Sequence, residues 1–245
     1  MGSTGKPRNE VIRLSDGREI TLADGETLTY SQDSGRAEMP QSVKNFEEKR
    51  VKGKIEYGLA TMADGTVIEE RKGGKGSVKL SMYAARTAEV YTHIHPRSGL
   101  ESGQLGGTFS DADINNFANF NQTTTRAAAA EGTYSITKGA KMLADRSLAR
   151  SFARDYARYQ AQVDREVGRQ VAQKGSDYRT RAEAIARDLR AGKITVAEAR
   201  AQNDTAYATY IAEANKVANS SYIKYHQWLL DHQSTYGYTY GLERR

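Results

Sequence analysis

Two histidines standing two residues apart, His93 and His95, are the clearest chemical signal in this 245-residue chain. They lie in 89–95, an alternating run that predicts a β-strand stopped by Pro96. In a strand, residues two apart project from one face about 6.5–7 Å apart. Both rings can therefore aim a nitrogen at one ion, at zinc–nitrogen distances of about 2.0–2.1 Å. A catalytic zinc takes a third protein ligand and keeps one position for water. Asp113, near the start of a helix predicted over 110–120, is the candidate third ligand. The same residues also have a plainer reading: two half-buried imidazoles satisfied by backbone, and a helix opened by Ser110 as N-cap with Asp113 three residues on.

Metal hydrolysis also requires a base. Glu89 shares the face of His93 but lies four residues upstream, about 13 Å away along a strand. The carboxylate must then come from a neighbouring strand. Glu56 is the best placed, an isolated acid in the otherwise apolar or small-residue stretch 54–62. Glu69 and Glu70, beside a Lys/Gly loop, are expected to face solvent. Composition narrows the chemistry further. With no cysteine and four histidines, thiolate zinc sites, iron–sulfur clusters, thiol nucleophiles and disulfide scaffolds are excluded. The Gly-rich loop 72–76 lacks the Gly-Lys-Ser/Thr ending of a phosphate loop.

The elements that must position these residues can be read in order. Residues 11–14, 19–22 and 27–30 predict a small β-meander punctuated by Asp16-Gly17 and Asp24-Gly25, strong hairpin turns. A polar loop, 31–40, precedes a helix over 41–51. Residues 54–62 and 66–71 predict a hairpin across Asp64-Gly65, followed by a strand at 77–80 and a helical turn at 83–87. An irregular Gly-rich loop fills 97–108. Residues 126–131 are ambiguous: four alanines favour helix, yet a Glu131-Gly132 turn and a strand at 133–137 follow. From 141 to 233 the composition is helical, with a break expected at Gly175-Ser176. A capping box, Thr195 with Glu198, opens the last helix. Tyr207, Tyr210, Ile211, Ala214, Val217 and Tyr222 are expected to form its apolar stripe. Residues 236–242 read as a terminal strand.

His-x-His-Pro followed by Ser-x-x-Asp, with a glutamate on an upstream strand, resembles the JAMM (JAB/MPN+) zinc metalloproteases, in the bacterial and phage JAB-like branch. The ordered likeness extends over about 50–140 and includes the Gly-Gly-Lys loop, the Phe-Ser-Asp-Ala-Asp-Ile helix start and Glu-Gly-Thr-Tyr-Ser-Ile-Thr-Lys. The resemblance implies an α+β fold with a JAB/MPN-like (cytidine-deaminase-like) mixed sheet flanked by helices, in which 126–130 is a core strand. It implies zinc held by His93, His95 and Asp113. Glu56 would take a proton from the attacking water and pass it to the leaving amine, and Ser110 would hydrogen-bond the oxyanion. The expected organisation is a tail and meander at 1–40, a catalytic core at 41–140, a helical insertion or extension at 141–235 and a closing strand at 236–245. The loop 97–107 then reads as an insertion at the rim of the site.

The implied substrate is a protein or peptide, including one joined to a ubiquitin-like modifier. A non-catalytic JAB-like binding or assembly module, associated with a phage or a toxin, is the alternative. The net charge is +6, with the excess in 138–200, where 15 Lys and Arg face 8 Asp and Glu. Such helices can bind an acidic surface or nucleic acid, although solvated helix faces look the same, and nucleic acid is not the favoured partner. His226 and His232, six apart on a helix, share no face well and are expected to serve packing or surface roles. No apolar run approaches the roughly 18–20 residues of a membrane span. The absent cysteines and the polar first nine residues suit a cytoplasmic protein, as they would a toxin delivered by specialised secretion.

Overall fold

The structure, a computed structural model, describes residues 10–14, 19–23, 25–31, 39–96 and 104–244. Strands β1 (Val11–Arg13) and β2 (Glu19–Thr21) pair as a small hairpin. Helix α1 (Gln41–Arg50) leads into strands β3 (Tyr57–Thr61) and β4 (Val67–Lys72). Helix α2 (Met82–Thr87), strand β5 (Val90–Ile94), helix α3 (Asp111–Asn119) and strands β6 (Thr124–Ala128) and β7 (Thr133–Lys138) follow. The short helix α4 (Ala140–Ala144) precedes two long ones, α5 (Arg146–Arg190) and α6 (Val196–Asp231). Helix α7 (Gln233–Tyr236) and strand β8 (Tyr238–Glu243) complete the order.

Six strands form one mixed sheet in the order β4-β3-β5-β6-β7-β8. Only β5 and β6 run parallel, joined by the crossover through α3. The fold is thus α+β, a mixed sheet flanked by helices with a long C-terminal helical region. Asp64-Gly65 turns β3 into β4 as the sequence predicts. Thr66 donates its N–H to Asp64 Oδ1 at 2.8 Å, and Gly65 has a φ of 90° that a side chain would strain.

One face of the sheet packs against α1, where Val43 and Phe46 meet Leu59, Val90, Ile94 and Ala128. The other face carries the larger core, built by Phe109, Ile114 and Phe117 around α3, Phe152 and Tyr156 of α5, Leu229 of α6, and Tyr134, Ile136, Tyr240 and Leu242 of the strands. Residues Ala127 and Ala128 are fully buried, each on a different face of β6. Small side chains let helices approach the sheet from both sides, and this burial overrides the helical propensity of alanine.

Several expectations are corrected. The N-terminal meander is a two-stranded hairpin. Residues 27–30 form no strand; Leu28 is buried in the main core, and the segment is tied to β8 only where Ser31 donates its N–H to Leu242 O at 2.8 Å. The Asp16-Gly17 turn and Asp24 lie outside the described residues. Residues 77–80 join no ladder; Ser77 O accepts instead from the Gly74 N–H at 2.8 Å, and β4 remains the edge strand of the sheet. Glu69 does not point away into solvent: it accepts from the Ser81 N–H (2.9 Å) and hydroxyl (2.7 Å) where α2 meets β4.

Helix α5 is unbroken over 45 residues, through Gly175-Ser176. At Gly175 the Tyr210 ring of α6 would lie 3.8 Å from a Cβ, an ordinary contact distance, so the packing there does not require glycine. Stacking of Tyr178 on Tyr210 joins the helices just beyond. These contacts offset the roughly 1 kcal/mol that glycine costs a helix. At 1.5 Å per residue α5 is about 65 Å long, against about 20 Å for a six-residue strand. The α5–α6 hairpin therefore projects far beyond the sheet. Tyr207, expected in the apolar stripe, is 45% exposed, at the rim of a groove between α6 and strand β2. Among the described residues, no helix is long and apolar enough to cross a membrane.

Candidate metal centre

His93 and His95 project from the same face of β5 and its extension, at the carboxyl end of the parallel pair. Their Nε2 atoms lie 2.9 Å apart. Asp113 Oδ2 lies 3.5 Å from His93 Nε2. One ligand atom from each of the three falls within 4.8 Å of the others. Two ligands about 2.05 Å from a tetrahedral ion are about 3.3 Å apart, so the spacing suits a single ion with small adjustments. His93 is fully buried, and the backbone of Arg126 on the neighbouring strand β6 is the hydrogen-bonding group that favours its ring proton. The group can hold a metal ion.

Local sequence explains how Asp113 arrives there. Ser110 caps α3, accepting from the Asp113 N–H at 3.2 Å. In return Asp113 Oδ2 accepts from the Ser110 N–H (2.9 Å) and hydroxyl (2.7 Å). The capping box and the candidate ligand are thus one arrangement, and the two sequence readings coexist. Across the site, His95 Nδ1 lies 3.0 Å and 2.9 Å from the carbonyl oxygens of Gly106 and Gly107. Two acceptors there assign the proton to Nδ1 and leave the Nε2 lone pair toward the site. Tyr91, two residues before His93, stacks on its ring at 5.4 Å.

Glu56 immediately precedes β3. Gly58 pairs with His93, and counting two residues back along that register brings Glu56 level with His95. Burial pushes the Glu56 carboxyl above its ordinary range; the His93 charge pulls it down and Asp113 pushes it further up. Burial opposes charge on Asp113 too, but His93 and its hydrogen bonds hold it well below the usual carboxylate range. His93 shows the converse: burial disfavours its proton, and Asp113 more than compensates, raising it. Burial and the neighbouring His93 charge push His95 down to about 4. The two imidazoles, Asp113 and Glu56 therefore share one local field.

Of the five residues singled out from the sequence, His93, His95 and Asp113 meet here, Ser110 is bound to Asp113, and Glu56 acts on His93 and Asp113 through its charge. The excluded candidates lie elsewhere. Glu89 accepts from the Ala63 N–H at the β3–β4 turn. His226 bridges the Tyr240 hydroxyl and Thr29 O, and His232 stacks on Trp228. Of the rim loop, 97–103 lies outside the described residues. Sequence reading missed Tyr91, which the two-residue period of β5 could have found. It also missed Glu131, which reads as a turn residue, and Arg126, which is fully buried between Glu47 and Glu243.

No protein-family model, curated protein or solved structure matches the chain.

Proposed function

We propose that this protein is a zinc-dependent peptidase or isopeptidase of the JAMM type. The observation that carries the reading is the meeting of two imidazole nitrogens and one carboxylate oxygen within 4.8 Å, with the Glu56 carboxyl in the same field. Two histidines and one aspartate with a position to spare are a catalytic rather than a structural donor set for zinc. When bound, the ion supplies Lewis acidity, polarising the scissile carbonyl and making the attacking water more acidic. Glu56, raised by burial toward neutrality, takes the water proton as the oxygen adds to the carbonyl carbon. It returns that proton to the amine nitrogen as the C–N bond breaks. Ser110 offers its hydroxyl to the developing oxyanion, turning off Asp113 to do so.

A groove of about 280 Å³ supports an extended peptide substrate. Val78, Leu80, Met82, Tyr91 and Phe120 line it, and Tyr91 brings it up to His93.

The direct test is metal analysis of protein purified without a histidine tag. About one zinc per chain is expected, and Asp113→Ala should lose it. Zinc retained at full stoichiometry by Asp113→Ala would remove the centre. A second expectation concerns Ser110→Ala. It should keep zinc and slow hydrolysis by about 10²–10³, at a cost of about 1 kcal/mol in stability from the lost helix cap. Steady-state kinetics beside a thermal melt separates the two effects.

A further inference from the structure

Glu131 is 3% exposed, in the turn between β6 and β7. Its carboxylate accepts from two consecutive peptide N–H groups, Gly106 to Oε2 at 3.0 Å and Gly107 to Oε1 at 2.9 Å. The Tyr134 hydroxyl donates to Oε1 at 2.9 Å. The carbonyls of the same two glycines are the acceptors of His95 Nδ1. The peptide group joining Gly106 to Gly107 therefore has Glu131 on its N–H and His95 on its C=O. A carboxylate at one end of a peptide dipole strengthens the acceptor at the other. The arrangement is tightly shaped. Gly107 has a φ of 80°, and a Cβ on it would sit 2.6 Å from the Tyr222 ring. A Cβ on Gly106 would sit 2.6 Å from Ala129 Cβ.

We propose that Glu131 is a positioning residue for the ligand His95, acting through the Gly106–Gly107 peptide to fix the imidazole's orientation and keep its proton on Nδ1. This rests on the zinc reading of the centre. Ligand histidines commonly donate their second nitrogen to a carboxylate or a carbonyl, and loss of that partner weakens metal binding about 10- to 100-fold. Here the two kinds of partner act in series. Glu131→Gln is nearly isosteric, but its amide NH₂ faces donors, so at least one of the three hydrogen bonds is lost. Tyr134→Phe keeps the carboxylate and both peptide contacts.

The experiment has two arms. Competition with a chromophoric chelator measures zinc affinity. Nitrogen-15 NMR of histidine-labelled, metal-free protein reads the His95 tautomer. Wild-type His95 should carry its proton on Nδ1. Glu131→Gln should weaken zinc about 10- to 100-fold and shift the tautomer toward Nε2–H, while Tyr134→Phe stays within a few-fold of wild type. Unchanged zinc affinity and tautomer in Glu131→Gln would overturn the proposal, whatever happens to the melting temperature. If that variant does not fold, wild-type protein still decides, because a proton on Nε2 overturns it. Wild-type protein that takes up no zinc defeats the metal centre, and the tautomer comparison then judges Glu131 separately.

Discussion

Glu56→Gln protein is expected to hold its zinc and to hydrolyse about 10²–10⁴ times more slowly than wild type. Glu56 stands outside the His93, His95 and Asp113 ligand group, so stoichiometry should not change. Glutamine keeps the shape and the backbone bonds to Gly73 and Gly74, at 2.8 Å and 2.7 Å, that anchor this position. Only the proton-accepting capacity disappears. Burial raises the Glu56 carboxyl and thus brings it closer to the working range of a general base. The comparison needs zinc content and kcat/KM on one preparation. Full activity in Glu56→Gln would reject the base assignment, and loss of zinc would mean that the residue belongs to the ligand set.

The second large effect concerns folding. Arg126 is fully buried, with Nε 2.7 Å from Glu47 Oε1 and Nη1 2.9 Å from Glu243 Oε1. Its Nη2 completes forks to both carboxylates at 3.3 Å and 3.4 Å. Burial works against the guanidinium charge, yet Glu47 and then Glu243 hold it protonated. Arg126→Met leaves two carboxylates facing one another in the interior. Breaking such a buried group by removing one partner costs about 3–5 kcal/mol, a large share of the roughly 5–15 kcal/mol that holds a domain together. Urea unfolding measures this, and a loss below about 1 kcal/mol would contradict it. Replacing all three by apolar residues should recover much of the loss, since the penalty comes from unpaired charge.

What could be read from the sequence was local. The alternation through His93 and His95, the Asp64-Gly65 turn and the Ser110/Asp113 cap each lie within a few residues, and each forms as the spacing suggests. Glu56 required one step more, the pairing of two strands. Arg126 shows where such reading stops. It stands among threonines and alanines, and its partners lie 79 and 117 residues away. Glu131 was hidden for a related reason: an acid before glycine is the pattern of a turn, and nothing nearby signals a bond to residues 24 and 25 positions upstream. Gly175-Ser176 misled in the opposite sense, because α5 is held against α6 on either side of it, as by the stack of Tyr178 on Tyr210, and runs through a helix breaker.

Strand β8 has a consequence for how the molecule is made. It pairs with β7 along its length, yet about 100 residues separate the two in the chain. At roughly 5–20 residues per second, a ribosome needs on the order of 5–20 s to travel between them. During that interval the nascent sheet has a bare β7 edge, and Arg126 lacks its second carboxylate. Newly emerged protein is thus exposed to misassociation until β8 has left the exit tunnel, which makes this distant strand the latch of the sheet.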